Sequence, residues 1–151
     1  MFAGATPMSP EELQSRYVAE IEKRGVDDKY IDGVEERELM QIAIQHGFST
    51  DRARTFLADV CRERGYVIEA VVVQQIREKL LAKARRNRAI RQSAFESVVR
   101  EASNLVGCTT RTEGDVRKLV MTTMDDSGIA RIKKWWGGDW YSRMKRDLGL
   151  A

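Results

Sequence analysis

The sequence predicts an all-α fold, a compact bundle of about six to seven helices. Both prolines, Pro7 and Pro10, precede the first predicted helix, and alternation of β-branched with polar residues is nearly absent. The 151 residues are 42% hydrophobic, which is enough to bury the core of one domain. We therefore predict a single helical domain over residues 9–151 and a disordered N-terminus over residues 1–8.

The first three helices are predicted from their caps and stops. The sequence SPEE at residues 9–12 combines a capping serine, a proline at the first helical position and a glutamate three residues after the cap, so a helix should cover residues 10–25. The second helix should cover about 32–46, with His46 as the C-terminal cap. Ser49 should cap a third helix that ends at Gly65. Their apolar stripes predict these buried positions: Leu13, Tyr17, Val18, Ile21, Val34, Leu39, Ile42, Ala43, Ala53, Phe56, Leu57, Val60 and Cys61.

The middle of the chain is less uniform. The segment YVIEAVVVQQIREKLLAKARR (66–86) opens with a β-rich run but continues with strong helix formers. We predict one helix for the whole segment, with a short strand over 67–73 as the alternative. A fifth helix is expected over about 92–106.

Three further stretches complete the predicted bundle. Thr112 and Asp115 resemble a capping box for a sixth helix that runs to about Met124. Helical spacing of Ile129, Ile132 and Trp136 predicts the next helix, which Gly137 and Gly138 interrupt. Asp139 can cap a final stretch through Leu148.

The chain aligns with itself at an offset of 59 residues. YIDGVEERELMQIA (30–43) then pairs with AIRQSAFESVVREA (89–102), so that Ile31 meets Ile90 and Leu39 meets Val98. With a short insertion after Gly107, the following helices also match up to the pair Gly65 and Gly128. Any two amphipathic helices align in this way, so duplication stays one of two interpretations. If it is real, units 30–85 and 89–148 form a pseudo-repeat of helical hairpins.

The net charge of +3 is unevenly distributed. Residues 1–50 carry 5 Lys/Arg and 10 Asp/Glu, residues 51–100 carry 12 and 6, and residues 101–151 carry 9 and 7. The acidic front and the basic middle could attract each other or partners of opposite charge, or could simply be a solvated surface.

The segment KLLAKARRNRAIRQ (79–92) contains six cations and no acidic residue. Such a cluster could neutralise the phosphates of a nucleic acid or another polyanion. It could equally be the solvated face of a helix or contact the acidic first third of the chain. The candidate nucleic-acid-binding residues are Lys83, Arg85, Arg86, Arg88 and Arg91.

The C-terminal stretch RIKKWWGGDWYSRMKRDLGL (131–150) places three tryptophans and a tyrosine within seven residues. Exposed rings could stack on bases or form a hot spot for a protein partner. The alternative is that Trp136 and Trp140, four residues apart, close the helical core, while Trp135 and Tyr141 face elsewhere and remain free for a partner. The candidate partner-binding residues are Trp135, Trp136, Trp140, Tyr141 and Arg143.

The acidic stretch DDKYIDGVEERELM (27–40) does not fit a calcium loop. A loop that begins at Asp28 places Tyr30 and Leu39 at ligand positions, and the alternative register places Arg24 and Val26 there. Its carboxylates are better explained as the favourable start of a helix. In the second register, however, Ile31, Asp32 and Glu35 resemble the exit of a degenerate EF-hand or the helix starts of TerB-like helical domains. That resemblance implies helical modules for protein association, some of which bind metal.

No catalytic motif is evident. His46 is the only histidine, and no glycine-rich phosphate loop, nucleophile elbow or metal-ligand spacing occurs. Cys61 and Cys108 lack the spacing of a zinc site, and two thiols in a chain of this size favour a reducing compartment. The chain has neither a signal-like N-terminus nor an apolar run long enough to span a membrane.

These observations predict a non-enzymatic cytoplasmic protein without a cofactor or a bound metal. We expect an adaptor module that binds another protein through its aromatic and basic C-terminal helix, and self-association is compatible with the sequence. The alternative is a nucleic-acid-binding protein that uses segment 79–92 together with the C-terminal aromatic residues.

Overall fold

The computed structural model describes residues 9–133 and 138–150, and this part of the chain contains seven helices and four two-residue strands. The helices are α1 (Pro10–Gly25), α2 (Gly33–Gln45), α3 (Thr50–Arg64), α4 (Glu69–Lys83), α5 (Gln92–Leu105), α6 (Glu113–Asp126) and α7 (Trp140–Asp147). The strands are β1 (Tyr30–Ile31), β2 (Val67–Ile68), β3 (Ala89–Ile90) and β4 (Ala130–Arg131). The all-α prediction is confirmed. The predicted disorder of residues 1–8 lies outside the described residues.

The chain divides into two compact units, Met1–Ile68 (unit 1) and Glu69–Ala151 (unit 2). The predicted repeat 30–85 leaves out α1 and includes α4, which belongs to unit 2, whereas the predicted repeat 89–148 begins after α4. None of the described helices combines the length and the apolar character needed to cross a membrane.

Unit 1 contains α1, β1, α2, α3 and β2, in that order. Strands β1 and β2 pair in parallel, with Tyr30 opposite Val67 and Ile31 opposite Ile68. The rings of Tyr17 and Phe48 stack, with centroids 6.1 Å apart. One hydrophobic cluster of this unit consists of the buried residues Tyr17, Ile21, Ile31, Leu39, Ala43, Phe48, Ala53, Leu57, Val60 and Cys61. Burial of the predicted stripes is thus largely as expected, but Val34 is 55% exposed because it lies in the first turn of α2, on the outer side.

Unit 2 contains α4, β3, α5, α6 and β4 in the same order, followed by α7. Strands β3 and β4 also pair in parallel, with Ala89 opposite Ala130 and Ile90 opposite Arg131. Its fully buried large side chains are Ile76, Leu80, Ile90, Phe95, Val98, Met121 and Met124.

Two predicted helical stretches are wrong in part. Val67 and Ile68, which we assigned to the fourth helix, form β2 because their backbone pairs with β1. The stretch around Ile129 and Ile132 is likewise not helical: β4 pairs with β3, and the Ile132 N–H donates to the Ile90 carbonyl at 2.8 Å. Both errors come from hydrogen bonds to strands that are distant in sequence, which local propensity does not register.

The caps predicted at Ser9, Ser49, Thr112 and Asp139 are confirmed, because each of these side chains accepts a backbone hydrogen bond at the start of its helix. Asp32, which we predicted as the first residue of the second helix, is the N-cap of α2, and its side chain accepts from the Glu35 N–H. His46 is the C-cap of α2. Gly65 and Gly128 both have positive φ, 73° and 66°, after α3 and α6, a conformation that glycine adopts without steric cost.

Candidate functional site

The five candidate nucleic-acid-binding residues lie between the end of α4 and the start of α5. Lys83 is in the last turn of α4, Arg85, Arg86 and Arg88 follow in the connecting turn, and Arg91 directly precedes α5. All five side chains are exposed. Within residues 9–133 and 138–150, no ion pair or side-chain hydrogen bond engages four of them, the exception being Arg88.

The turn that carries these arginines is held by backbone hydrogen bonds. The Arg85 N–H donates to the Ala89 carbonyl at 2.9 Å, and the Arg88 N–H donates to the Arg85 carbonyl at 2.8 Å. Arg88 has a φ of 57°, which is uncommon for a residue other than glycine. In this conformation its carbonyl accepts from the Ala130 N–H at 2.8 Å, and its guanidinium donates to the Ser127 carbonyl at 2.9 Å. The turn is therefore anchored to the end of α6 and to β4.

Arg91 occupies the N-cap position of α5, and its side chain makes no capping hydrogen bond. A cation at this end of a helix also opposes the helix dipole, which favours negative charge there. At the corresponding place in unit 1, Asp32 accepts from the Glu35 N–H at 2.8 Å, and Glu35 accepts from the Asp32 N–H at 3.0 Å. Local helix stability therefore gives no reason for an arginine at position 91.

The pairing of β3 with β4 brings a further cation, Lys133, to the same place. Lys133 and Arg91 line one open groove of about 540 Å³, together with Gln92, Ser93, Glu96 and Ile132. In the sequence Lys133 belongs to the C-terminal stretch 131–150, which we call the aromatic tail, and only the pairing of β4 with β3 links it to Arg91. We call the following residues the basic edge: Lys83, Arg85, Arg86, Arg88, Arg91 and Lys133.

Three acidic side chains of unit 2 already have partners of their own. Glu96, which lines the groove, accepts hydrogen bonds from both terminal nitrogens of the Arg117 guanidinium at 2.8 and 2.7 Å. Asp125 accepts from Lys145, and Asp139 accepts from Arg131. These carboxylates therefore do not neutralise the basic edge.

The aromatic tail differs from the prediction. Trp140 is 5% exposed, its ring lies 5.2 Å from that of Phe95, and its indole N–H donates to the Ile132 carbonyl at 2.9 Å. Tyr141 is also buried, at 4% exposure, so the expectation that it faces away from the core is wrong. Arg143 is exposed, whereas Trp135 and Trp136 lie outside the described residues.

Tyr141 is buried because its hydroxyl has partners inside unit 2. It donates to the Asp125 carboxylate and lies 3.1 Å from the Met121 carbonyl. Burial, reinforced by the hydrogen bond to Asp125, raises the pKa of Tyr141. Burial acts to raise the pKa of Asp125 as well, but hydrogen bonds from Lys145 and Tyr141 lower it overall.

Asp139 joins the start of α7 to β4. Its carboxylate accepts from the Arg131 guanidinium and from the Ser142 hydroxyl, and the Tyr141 N–H donates to it at 3.2 Å. The hydrogen bonds from Arg131 hold the pKa of Asp139 far below its ordinary value. Helix α7 is thus held to the rest of unit 2 by hydrogen bonds and ion pairs, and Trp140 and Tyr141 are buried in this unit.

The acidic stretch 27–40 is engaged in local structure. Asp28 accepts from the Tyr30 N–H at 3.1 Å, while Asp32 and Glu35 form the capping box of α2. Glu38 accepts from Arg24 at 3.3 Å. Among the described residues, no cluster of three or more histidine, cysteine, aspartate or glutamate side chains is arranged to hold a metal. These carboxylates stabilise the start and the flank of a helix.

Comparison of the chain with protein-family models, curated proteins and solved structures gave no match. The resemblance to EF-hand-like and TerB-like helical domains therefore stays a prediction. Any function must be inferred from the surfaces themselves, and in the described part of the chain the basic edge gathers four unpaired cations, Lys83, Arg85, Arg86 and Arg91, within nine residues.

Proposed function

We propose that this protein binds nucleic acid through the basic edge of unit 2. The observation that carries the proposal is a group of exposed cations, mostly arginines, most of which make no ion pair in the described structure. Phosphate oxygens suit this surface because the planar guanidinium offers paired N–H donors to two oxygens at once.

The charge of the two units supports this proposal. Unit 1 contains 9 Lys/Arg and 13 Asp/Glu, a net charge of −4, whereas unit 2 contains 17 and 10, a net charge of +7. An anion would therefore approach a unit that is cationic as a whole and most strongly so at the basic edge.

The alternative role for the basic edge, a contact with the acidic first third of a chain, is less favoured. Asp32, Glu35 and Glu38 already accept hydrogen bonds from backbone N–H groups or from Arg24. A separate polyanion has no such competing partners. Self-association of the chain stays a prediction.

The test compares two variants: one removes three positive charges from the basic edge, and the other removes three from unit 1. Arg85→Gln, Arg86→Gln and Arg91→Gln in one variant should weaken binding of a random duplex oligonucleotide strongly. They should also make the slope of log K against log salt shallower by about 2.7, at about 0.9 per lost phosphate contact. The readout is fluorescence anisotropy over a series of salt concentrations.

The matched control changes Lys23, Arg37 and Arg54 to glutamine, three exposed cations of unit 1. This variant carries the same change in net charge, so it should weaken binding only slightly. Equal losses in the two variants would show that binding follows net charge and not the basic edge. No binding by the unaltered protein at about 50 mM salt would refute the proposal.

The second candidate function is binding of a protein partner through the C-terminal tail, and fewer of the predicted partner-binding residues remain accessible for it. Trp140 and Tyr141 are buried, so Trp135, Trp136 and the exposed Arg143 are what remain of the expected surface. Alanine at Trp135 and Trp136 should abolish recovery of a partner from lysate without lowering the melting temperature. Unchanged recovery would refute this candidate.

We also propose that the two units arose by duplication. Support comes from the common order helix, strand, helix, helix, strand, and from the parallel strand pair in each unit. Lys29 and Arg88, which are 59 residues apart, have nearly equal φ angles of 58° and 57°.

The absence of a disulfide between the free thiols Cys61 and Cys108 suits the cytoplasmic location that we propose.

A further inference from the structure

We infer that the nucleic acid bound by the basic edge is double-stranded and is recognised through its phosphates, without stacking on its bases. This inference rests on the proposed function and specifies its substrate class. Three features of unit 2 carry it: a rigid turn, buried aromatic side chains and the predominance of arginine.

The basic edge is preorganised. The hydrogen bonds of Arg85 and Arg88 close the turn, and the bonds from Ala130 and to Ser127 attach it to β4 and α6. Residues 83–91 therefore present their cations from a fixed backbone. A rigid surface loses little conformational entropy when it binds a partner whose charges are also fixed in space.

A duplex is such a partner, because its phosphates form a regular array of high charge density. Contacts to phosphates also release more counterions from duplex DNA than from a single strand, with slopes of about −0.9 and −0.7 per contact. If all six cations of the basic edge contact phosphates, the two slopes differ by about 1.2, so a duplex whose affinity equals that of a single strand at about 1 M salt binds about 10-fold more tightly at about 0.1 M.

A single strand is flexible, and proteins that bind it offset its ordering by stacking bases on aromatic side chains. In the described part of unit 2, the aromatic side chains are Phe95, Trp140 and Tyr141, and these are 0%, 5% and 4% exposed. The hydroxyl of Tyr141 and the indole N–H of Trp140 are also hydrogen-bonded within the unit. These three rings cannot reach a base without unfolding the core.

The composition of the edge agrees with phosphate recognition. Four of its six cations are arginines, and Lys133 and Arg91 face one groove beside Gln92 and Ser93. Amide and hydroxyl groups are further hydrogen-bonding groups for phosphate oxygens, and contacts of this kind position a protein without reading sequence.

The experiment measures the affinity of the full chain for three probes by fluorescence anisotropy or vesicle co-sedimentation. The probes are a duplex of random sequence, oligo(dT) with the same number of phosphates, and vesicles containing phosphatidylserine. We expect the duplex to bind about 10-fold more tightly than oligo(dT) at low salt. The variant with alanine at Trp135 and Trp136 should bind the duplex as the unaltered chain does.

The outcomes separate this inference from the proposed function. Equal or tighter binding of oligo(dT), or a loss of duplex binding in the tryptophan variant, overturns the duplex inference while nucleic-acid binding stands. Binding to the vesicles and to neither oligonucleotide overturns both. The Arg85→Gln, Arg86→Gln, Arg91→Gln variant must lose duplex binding if the basic edge is the site.

Discussion

The five elements of unit 1 and the first five of unit 2 follow the same order, but the two units carry opposite charge at the start of the helix that follows the first strand. In unit 1, Asp32 and Glu35 cap α2, whereas in unit 2 the corresponding positions are Arg91 and Ala94. The preceding turns differ in the same sense, since Asp27 corresponds to Arg86. The same order of helices and strands thus accommodates an acidic helix start whose side chains cap the helix, as in α2, or an exposed basic one without a side-chain cap, as in α5.

This difference separates structural from functional charge. Asp32 and Glu35 of unit 1 accept hydrogen bonds from N–H groups at the start of their own helix, so these two carboxylates stabilise the fold. Within residues 9–133 and 138–150, by contrast, Lys83, Arg85, Arg86 and Arg91 of the basic edge make no ion pair or side-chain hydrogen bond, and Arg91 opposes the dipole of α5. Because charge that does not stabilise the fold is available for binding, the comparison points to the basic edge as the functional surface.

The largest expected effect tests the common architecture. Ile31 and Ile90 lie at equivalent places in β1 and β3, and both are 0% exposed. Replacing either by alanine should lower the free energy of unfolding by about 2 to 5 kcal/mol, because a buried cavity remains. Urea denaturation of the two variants measures both losses.

The control for this pair is Val34→Ala, which alters a side chain that is 55% exposed. It should change the free energy of unfolding by less than about 0.5 kcal/mol. A small loss at Ile90 beside a large loss at Ile31 would contradict the equivalence of the two strand pairs.

An intermediate effect is expected for the two thiols. Burial raises the pKa of Cys61 to about 11, so its thiolate fraction at neutral pH falls by about 100-fold, whereas Cys108 is exposed. Iodoacetamide should therefore label Cys108 first and Cys61 only slowly. Mass spectrometry after a time course identifies the labelled site.

Denaturant gives the control for the thiol measurement, because unfolding should make both cysteines react at similar rates. Fast labelling of Cys61 in the folded protein would mean that the core of unit 1 opens readily. Because the pKa of Cys61 is raised to about 11, its reactive thiolate becomes more populated as pH rises, so labelling of Cys61 should accelerate as pH approaches about 11.

The smallest expected effect concerns the N-cap residues of α2 and α5, which are Asp32 in unit 1 and Arg91 in unit 2. Asp32→Ala should destabilise the protein by about 1 kcal/mol because a capping hydrogen bond is lost, whereas Arg91→Ala should have almost no effect on stability. Arg91→Asp should stabilise α5 by up to about 1 kcal/mol and weaken duplex binding. Thermal unfolding and anisotropy on the same samples measure the two quantities.

The variant Arg91→Asp is the sharper half of this test. If Arg91 has a structural role, the substitution must lower both stability and binding. Opposite changes, with a higher melting temperature and a lower affinity, are what a binding residue at an unfavourable helix position should give.

Much of the fold was predictable because its signals are local. Capping at Ser9, Asp32, Ser49, Thr112 and Asp139 depends on residues three positions apart or fewer, and such pairs are visible in a sequence. The strand at 67–68 was predicted only as an alternative to a helix, and the other three strands were not predicted. Each strand has two residues and owes its conformation to a partner about 40 residues away. Two residues carry too little periodicity to predict a strand.

The candidate site was predictable only in part. Segment 79–92 was recognisable by its charge, but the proximity of Lys133 to Arg91 depends on the pairing of β3 with β4. The burial of Tyr141 depends on Asp125 and Met121, which are 16 and 20 residues away. An aromatic residue beside a tryptophan on a short helix gives no local sign of which side faces the core.

The sequence by itself determined the helical class, most of the helix ends and the unequal distribution of charge, because these follow from the spacing and chemistry of neighbouring residues. The tertiary structure decided which charges remain available and which rings are buried. Asp32 and Glu35 form the capping box of their own helix. Trp140 and Tyr141 are buried in the core, whereas the arginines around Arg91 stay exposed. That outcome depends on contacts between distant segments, and such contacts form only when the chain folds.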